Sequence, residues 1–295
     1  MMSVVFSFPD FETVANSIAA VLNIKRGEML VRHFPDGESY VKLETPVEGQ
    51  DVIIVCGLDQ PDKKVMALMF LTNVAREMGA KSIGLVAPYL GYMRQDKRFQ
   101  PGEAVTSDIF AAFLVTLVDW LVTIEPHLHR HKKLDEIYTI PSKVLHANSL
   151  IAEWIRYNIN FPVLVGPDEE SEQWVSEVAR MADAPFVVLR KIRHGDRDVE
   201  VSVPDVGKYQ NHTPVLVDDI ISTARTMIET VKHLKAVGLK APVCIGVHAA
   251  FSGNAYEELL ATGVEKIITS NSIIHKSNGI NIEDMISDAL AKMKL

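Results

Sequence analysis

The sequence predicts an α/β protein with mainly parallel sheets that are flanked by helices. The first observation is that short apolar segments with the composition of buried strands alternate with longer segments of helical spacing. Such alternation is typical of parallel sheets, because two parallel strands need a long crossover, usually a helix, between them. The second observation is that the same succession of strand, loop, helix, glycine and strand occurs once in each half of the chain.

The elements of the first half follow one another from the amino terminus. The predicted strands are Val4–Phe8, Glu28–His33, Asp51–Cys56 and Ser82–Pro88, and the predicted helices are Phe11–Leu22 and Lys64–Met78. The strands are short apolar runs, whereas the helices carry apolar residues three or four positions apart. Gly79 ends the second helix, as glycine commonly does.

The repeat relates Asp51–Gly91 to Pro214–Gly253. All βαβ units share this outline, which leaves chance likeness open. The matched order and similar lengths favour duplication of one α/β domain. We place the join near Pro141–Asn148, before a helix predicted at Ser149–Tyr157. The expected domains are residues 1–145 and 146–295.

Composition and charge limit the classes of function. Of the 295 residues, 47% are apolar and 23% are charged, as in globular proteins. The net charge of −8 argues against a general nucleic-acid-binding protein. An anionic substrate would therefore need a local cluster of Lys and Arg side chains.

Several features favour a cytoplasmic location. Cys56 and Cys244 lie in apolar, strand-like runs, which favours buried free thiols in a reducing compartment over a disulfide. The first ten residues have no basic region before their apolar positions, so they do not resemble a signal peptide. No apolar run is long enough to span a membrane.

The segment Pro214–Met227 carries an apolar strand, then Asp218 and Asp219, then a polar turn and a helix. Two carboxylates at the carboxyl end of a parallel strand lie where open α/β sheets bind ligands. They can accept ribose hydroxyls or hold a magnesium ion. The hydroxyl-bearing residues that follow are Ser222, Thr223 and Thr226. These hydroxyls, together with the free N–H groups at the start of the helix, could bind a phosphate. The same sequence is equally consistent with an acidic turn followed by a Ser/Thr helix cap.

Other polar segments also follow predicted strands. In Gly91–Glu103, three cations (Arg94, Lys97 and Arg98) lie beside two aromatic rings, which suits a polyphosphate with an aromatic base, although a solvated loop is the plainer interpretation.

Three alternating histidines, His127, His129 and His131, suggest either a metal site or a polar surface. The acids Asp168, Glu169 and Glu170 suit the start of a helix. Arg190, Lys191 and Arg193 lead into His194–Asp198, which predicts a mobile flap.

Six of these pieces, taken in order, resemble the ribose-phosphate diphosphokinase (PRPP synthetase) family. They are Phe34–Glu38, Gly91–Lys97, His127, Gly166–Asp168, Lys191–Arg193 and Val217–Thr223. The spacing matches over nearly the whole chain, and the length and the Ile-Ile-Ser-Thr loop are closer to the shorter archaeal-type members. Each piece alone is a weak signal, whereas the ordered set is specific.

The resemblance implies two tandem type I phosphoribosyltransferase-like domains, the first on the ATP side and the second with the sugar-phosphate loop and the flap. The implied reaction transfers the diphosphoryl group of ATP to the 1-hydroxyl of ribose 5-phosphate and requires Mg²⁺. The implied protein is a homodimer or higher homo-oligomer that binds neither nucleic acid nor membrane.

The resemblance also implies roles for particular residues. ATP would lie between Arg94, Gln95, Lys97 and His127 of one subunit and Phe34, Asp36 and Glu38 of a neighbour. Ribose 5-phosphate would bind at Asp218, Asp219, Ser222, Thr223, Ala224, Arg225 and Thr226. His127 and Asp168 would be magnesium ligands, and Lys191 and Arg193 would be the catalytic pair.

Three departures from the family pattern keep other functions open. Glu125–His127 stands where Asp-Leu-His is common, and Glu169–Ser171 replaces a small, glycine-containing turn. Ala224 and Arg225 replace glycine where the backbone approaches a phosphate. One alternative is a catalytically weak or altered-acceptor homologue with a regulatory, nucleotide-binding role. The other is a phosphoribosyltransferase, against which the two ATP-side segments argue.

Overall fold

The computed structural model describes residues 3–128, 130–167, 171–193, 199–202 and 206–293. Two compact units make up the chain, one comprising Met1–His146 with Ile282–Leu295 and the other Ala147–Asn281. None of the helices within the described ranges is long and apolar enough to cross a membrane.

The first unit is built on a six-stranded parallel sheet. Its strands are β1 (Ser3–Ser7), β2 (Lys25–Arg26), β3 (Met29–His33), β4 (Ser39–Leu43), β5 (Asp51–Val55), β6 (Ser82–Ala87), β7 (Trp120–Ile124) and β8 (Ser142–Leu145). Its helices are α1 (Glu12–Leu22), α2 (Val65–Glu77), α3 (Thr106–Leu114) and, from the carboxyl-terminal segment, α8 (Glu283–Lys292). The sheet has the order β2-β1-β5-β6-β7-β8, while β3 and β4 form a separate antiparallel ribbon, which we call the first ribbon.

The interior strands of this sheet are buried on both faces. Every residue of β5 and β7 is buried, which explains why both strands are almost continuous runs of apolar residues. Gly84 of β6 pairs with Trp120 of β7, and a Cβ atom at Gly84 would lie 1.8 Å from the Trp120 ring. Only glycine therefore leaves room for this indole on the sheet.

The second unit repeats the architecture. Its strands are β9 (Pro162–Gly166), β10 (Phe186–Val188), β11 (Arg190–Arg193), β12 (Val199–Ser202), β13 (Thr213–Ile220), β14 (Val243–His248), β15 (Lys266–Ser270) and β16 (Asn278–Ile280). Its helices are α4 (Asn148–Asn158), α5 (Glu172–Ala182), α6 (Arg225–Ala236) and α7 (Ala255–Ala261). The sheet has the order β10-β9-β13-β14-β15-β16, and β11 and β12 form the second ribbon.

The two sheets share one topology. In each, the second strand lies on one side of the first, and the remaining strands follow on the other side. In each, an antiparallel ribbon is inserted between the second strand of the sheet and the third. The internal repeat that the sequence predicts is therefore present in the fold, and each sheet has a switch point, where ligands commonly bind, between its first and third strands.

Two details differ from the sequence-based expectations. The predicted strand Glu28–His33 is present as β3 of the first ribbon, but the edge strand of the sheet beside β1 is Lys25–Arg26, which the sequence did not predict. The carboxyl-terminal segment, expected in a second domain of residues 146–295, groups instead with the first unit. The reason is that α8 packs on α1, with Ile286 and Leu290 buried and the hydroxyls of Ser17 and Ser287 2.9 Å apart.

Both cysteines are buried free thiols, as predicted. Burial raises the pKa of Cys56 to about 12 and that of Cys244 to about 12, because the thiolate would lose its hydration. Neither thiol is therefore reactive at neutral pH.

Candidate active site

The loop between β13 and α6 forms the most complete candidate site of the second unit. Asp218 and Asp219 lie at the carboxyl end of β13, on the β13 side of the switch point between β9 and β13. Both carboxylates are partly exposed, and the Asp219 N–H donates to Asp218 Oδ1 over 2.9 Å. The acids therefore lie where this fold binds ligands, as the sequence predicted.

The neighbouring strand β14 holds this loop in place. The N–H of Ile221 donates to the carbonyl of His248 over 3.0 Å, and the N–H of Ser252 donates to the carbonyl of Ser222 over 3.2 Å. A Cβ atom at Gly246 would lie 2.6 Å from the Ile221 side chain, so glycine lets Ile221 pack down on β14. The buried His248 ring is itself fixed, with its Nδ1 2.8 Å from the Ser272 hydroxyl.

Ala224 has the left-handed backbone conformation that favours glycine. Its φ of 54° and ψ of 8° turn the chain into α6, and its carbonyl accepts the first helical hydrogen bond, from Ile228, over 2.8 Å. Such a conformation costs a residue with a Cβ atom roughly 1–2 kcal/mol. Thr223, Arg225 and Thr226 are exposed around the helix start, so the N-terminus of α6 and three polar side chains are accessible to an anion.

The donors present in this loop fit Mg²⁺. Among the described residues, no group of three His, Cys, Asp or Glu side chains could hold a metal ion by itself. Mg²⁺, however, is usually bound by one or two carboxylates, with substrate phosphates and water completing its octahedron. The partly exposed Asp218 and Asp219 have that oxygen chemistry. Of the two predicted ligands, Asp168 lies outside the described residues, and His127 follows β7 in the first unit.

The second ribbon carries the predicted catalytic pair. Lys191 and Arg193 occupy alternate positions of β11, opposite Val201 and Val199 of β12. The predicted flap His194–Asp198 lies outside the described residues.

In the first unit, the segment Gly91–Glu103 follows β6 at the carboxyl edge of the sheet. Tyr92 has a positive φ of 61°, and its hydroxyl donates a short hydrogen bond to Asp62, which raises the pKa of the Tyr92 phenol. Glu103 Oε2 accepts the N–H groups of Phe99 (2.8 Å) and Gln100 (3.1 Å), so the segment is an ordered loop. Arg94, Lys97 and Arg98 are exposed on it, and Gln95 is partly exposed.

The segment that contains His127 follows β7, the next strand in the sheet. The two segments are joined by an ion pair, in which Arg130 Nη1 lies 2.5 Å from Asp96 Oδ1. The predicted residues Arg94, Gln95 and Lys97 therefore lie on a loop that contacts the segment containing His127. Neither Asp96 nor Arg130 is predicted from the sequence to have a role, although a lone acid within a cationic run is a signal for an internal partner.

The first ribbon presents an aromatic cluster. Phe34 begins its turn, and the Arg32 guanidinium carbon lies 4.5 Å from the centre of the Phe34 ring and 4.3 Å from that of Tyr40. Phe34 is 39% exposed, and its turn closes through a hydrogen bond from the Phe34 N–H to the Glu38 carbonyl over 2.8 Å. The N–H of Glu38 also donates to Asp36 Oδ1 over 3.2 Å. The ring that the resemblance places at ATP is thus accessible and lies against a cation.

The chain matches the models of two known protein families. Residues 3–117 match the model of the N-terminal domain of ribose phosphate pyrophosphokinase, and residues 133–283 match the model of the phosphoribosyl transferase domain. A protein of Methanobrevibacter smithii described as ribose-phosphate pyrophosphokinase is 30% identical over 291 residues, which cover 95% of this chain and 97% of that protein. The chain belongs to the ribose-phosphate pyrophosphokinase family.

Other members of the ribose-phosphate pyrophosphokinase family agree with this assignment. One from Sulfurisphaera tokodaii is 29% identical over 95% of this chain and 96% of its own length. Both relatives are archaeal, as the length and the Ile-Ile-Ser-Thr loop predicted. The crystal structure of phosphoribosylpyrophosphate synthetase from Mycobacterium smegmatis has the same fold, with a TM-score of 0.85, 21% identity and coverage of 100% of this chain and 99% of that one.

Proposed function

We propose that the chain transfers the diphosphoryl group of ATP to the 1-hydroxyl of ribose 5-phosphate, giving phosphoribosyl pyrophosphate and AMP. The observation that carries this proposal is the full-length relationship to ribose-phosphate pyrophosphokinases. It is supported by polar loops at the carboxyl edges of both sheets, where ligands bind in this class of fold.

The sugar phosphate is proposed to bind at the loop between β13 and α6. Its phosphate would be held by the N-terminus of α6 and by the side chains of Ser222, Thr223, Arg225 and Thr226, with the backbone of Ala224 beside it. Asp218 and Asp219 would accept hydrogen bonds from the ribose hydroxyls. This arrangement uses the partial positive charge of the helix for the phosphate and the carboxylates for the neutral hydroxyls.

The nucleotide is proposed to bind on the first unit. Arg94, Gln95, Lys97 and His127 would bind the ATP phosphates and ribose from one subunit, while Phe34 of a neighbouring subunit stacks on the adenine. Asp36 and Glu38 would accept hydrogen bonds from the adenine amino group. A homodimer or higher homo-oligomer is therefore part of the proposal, because neither subunit would complete the site alone.

The reaction is an attack of the ribose 1-hydroxyl oxygen on the β-phosphorus of ATP, with AMP leaving. Transfer of this kind depends mainly on alignment and on neutralisation of the charge that builds up on the phosphoryl oxygens. Lys191 and Arg193 would supply fixed positive charge there. His127 and Asp168 are the proposed Mg²⁺ ligands, and the ion when bound would neutralise further phosphate charge.

The decisive assay incubates the purified chain with ATP, Mg²⁺ and ribose 5-phosphate and follows AMP. The expected result is AMP release that requires the sugar phosphate and yields equimolar phosphoribosyl pyrophosphate. AMP release that is independent of the sugar, or its absence under all three additions, would contradict the proposal.

One observation favours a catalytically weak regulatory homologue as second candidate. Ala224 adopts φ of 54° where the family usually has glycine, and Arg225 adds a charge beside it. In that case ATP would raise the melting temperature without turnover. Arg225→Gly gives a further test, because a large gain in sugar-phosphate affinity would show that the arginine obstructs the loop.

A further inference from the structure

The ion pair between Asp96 and Arg130 connects the two loops that carry the proposed nucleotide residues. Asp96 lies between Gln95 and Lys97 in the loop after β6, and Arg130 lies three residues after His127 in the segment after β7. Because β6 and β7 are neighbouring parallel strands, both loops leave the same edge of the sheet. The pair thus links two chain segments that are otherwise separate in the sequence by more than thirty residues.

The pair is unusual in its burial. The Asp96 side chain is only 2% exposed, whereas the Arg130 side chain is 46% exposed. Asp96 Oδ1 accepts from Arg130 Nη1 over 2.5 Å, and Asp96 Oδ2 is buried without a hydrogen-bond partner among the described residues. A buried carboxylate needs a compensating charge, and Arg130 is the cation that contacts it here.

This burial makes the conformation of the loop depend on Arg130. If the guanidinium is removed, the Asp96 carboxylate remains in a desolvated position with no counter-charge from that side. The loop regains hydration for this carboxylate when Asp96 moves outwards. Because Gln95 and Lys97 are the adjacent residues, such a movement displaces both of them.

We propose that Asp96 and Arg130 are positioning residues for the nucleotide, which hold the loop after β6 against the loop after β7 so that their polar side chains face one ligand. This inference rests on the proposed nucleotide site. It assigns neither residue a contact with the reacting atoms, and it predicts an effect on the binding of ATP and none on the binding of ribose 5-phosphate.

The test measures the affinity for a non-hydrolysable ATP analogue by calorimetry, together with the KM for each substrate. Arg130→Gln removes the charge, and the expected result is a loss of analogue affinity of at least tenfold with an unchanged KM for ribose 5-phosphate and kcat within about threefold at saturating ATP. Arg130→Lys retains the charge but not the guanidinium geometry, and an intermediate loss of about threefold is expected. Asp96→Asn should match Arg130→Gln, and the double variant should be no worse than either, because both act through one contact.

A matched control is available in the same unit. Arg76 on α2 pairs with Asp119 over 3.1 Å, next to the start of β7 and therefore at the opposite edge of the sheet. Arg76→Gln removes the same group from an ion pair and should leave the affinity for the analogue unchanged.

The outcomes separate this inference from the proposed function. Wild-type affinity in Arg130→Gln, or an equal loss in Arg76→Gln, would overturn the positioning role even if the wild-type chain forms AMP. If Arg130→Gln does not fold, as its melting curve would show, an unchanged analogue affinity in Arg130→Lys overturns the inference in the same way. If the wild-type chain binds the analogue and forms no AMP, the proposed function fails, while a tenfold loss in Arg130→Gln still supports the positioning role.

Discussion

The two units share one strand order but carry different side chains at equivalent places. The first ribbon carries Arg32, Phe34 and Tyr40 in one aromatic and cationic cluster, whereas the second ribbon carries Lys191 and Arg193. An inserted ribbon at the same point of a duplicated fold therefore carries an aromatic cluster in one unit and two basic residues in the other.

The loops at the two switch points also carry different side chains in the two units. In the second unit the third strand, β13, ends in two acids and a hydroxyl-bearing turn. In the first unit the third strand, β5, leads to Lys64, whose Nζ donates to the Gly57 carbonyl over 2.9 Å and to Asp59 Oδ1 over 2.6 Å. A lysine just before α2 opposes the helix dipole, and Asp59 offsets it. A Lys64–Asp59 ion pair thus follows the third strand in the first unit, whereas two acids and a hydroxyl-bearing turn follow it in the second, where we propose that the sugar phosphate binds.

The largest effect is expected at the second ribbon. Lys191→Ala should lower kcat by roughly 10²–10³, because one preorganised cation is lost at the transferred phosphoryl group. We expect circular dichroism and the melting temperature to be unchanged. The matched change in the first ribbon is Lys42→Ala, which removes an exposed lysine paired with Glu44 over 2.8 Å and should not affect kcat. A wild-type kcat in Lys191→Ala would remove this residue from the mechanism.

The second effect concerns the switch-point loops. Asp219→Asn should raise the KM for ribose 5-phosphate by roughly 10- to 150-fold, because a charge-assisted hydrogen bond contributes about 1.5–3 kcal/mol. The equivalent change in the first unit, Asp59→Asn, should leave both KM values unchanged and lower the free energy of unfolding by about 1 kcal/mol. If Asp219→Asn and Asp59→Asn raised the KM for ribose 5-phosphate equally, the two loops would not have different roles.

The third effect concerns the first ribbon. Phe34→Ala should raise the KM for ATP by roughly 5- to 150-fold, because stacking of a base on an aromatic ring contributes about 1–3 kcal/mol. The KM for ribose 5-phosphate should not change. Phe70→Ala on α2 is the control, since Phe70 has the same 39% exposure in the same unit. A similar loss in both variants would point to general destabilisation instead of stacking.

The smallest effect is expected at the left-handed alanine of the phosphate loop. Ala224→Gly should stabilise the chain by about 0–1 kcal/mol, because relief of the backbone strain is partly cancelled by the greater entropy of glycine in the unfolded state. Ala147 is also buried and also precedes a helix of the second unit, but its φ is −83°. Ala147→Gly should therefore destabilise the chain, and a thermal melt of both variants decides the comparison.

The elements that the sequence predicted well are those in which one local pattern is sufficient. Strands such as Asp51–Val55 are buried on both faces, so their apolar runs are unmistakable, and the carboxyl ends of such strands locate Asp218 and Asp219 at the ligand edge. The left-handed residue at Ala224 also falls in the loop where the family usually has glycine.

The features that the sequence did not predict depend on distant partners. A strand of two residues, Lys25–Arg26, has no periodicity, so the sequence predicts only the longer strand Glu28–His33 in this region. The Asp96–Arg130 pair joins residues 34 positions apart, and the contact of Arg32 with Tyr40 needs the hairpin register. The ligand roles of all the proposed site residues stay predictions.

The packing of α8 on α1 has a consequence for biosynthesis. The helix α8, which packs on α1 of the amino-terminal unit, follows the whole of the second unit in the sequence. Domains generally fold as units, with the amino-terminal one first during synthesis. Here α1 has no α8 to pack against until the whole of the second unit has been translated, so the nascent chain exposes the apolar surface that Ile286 and Leu290 later cover.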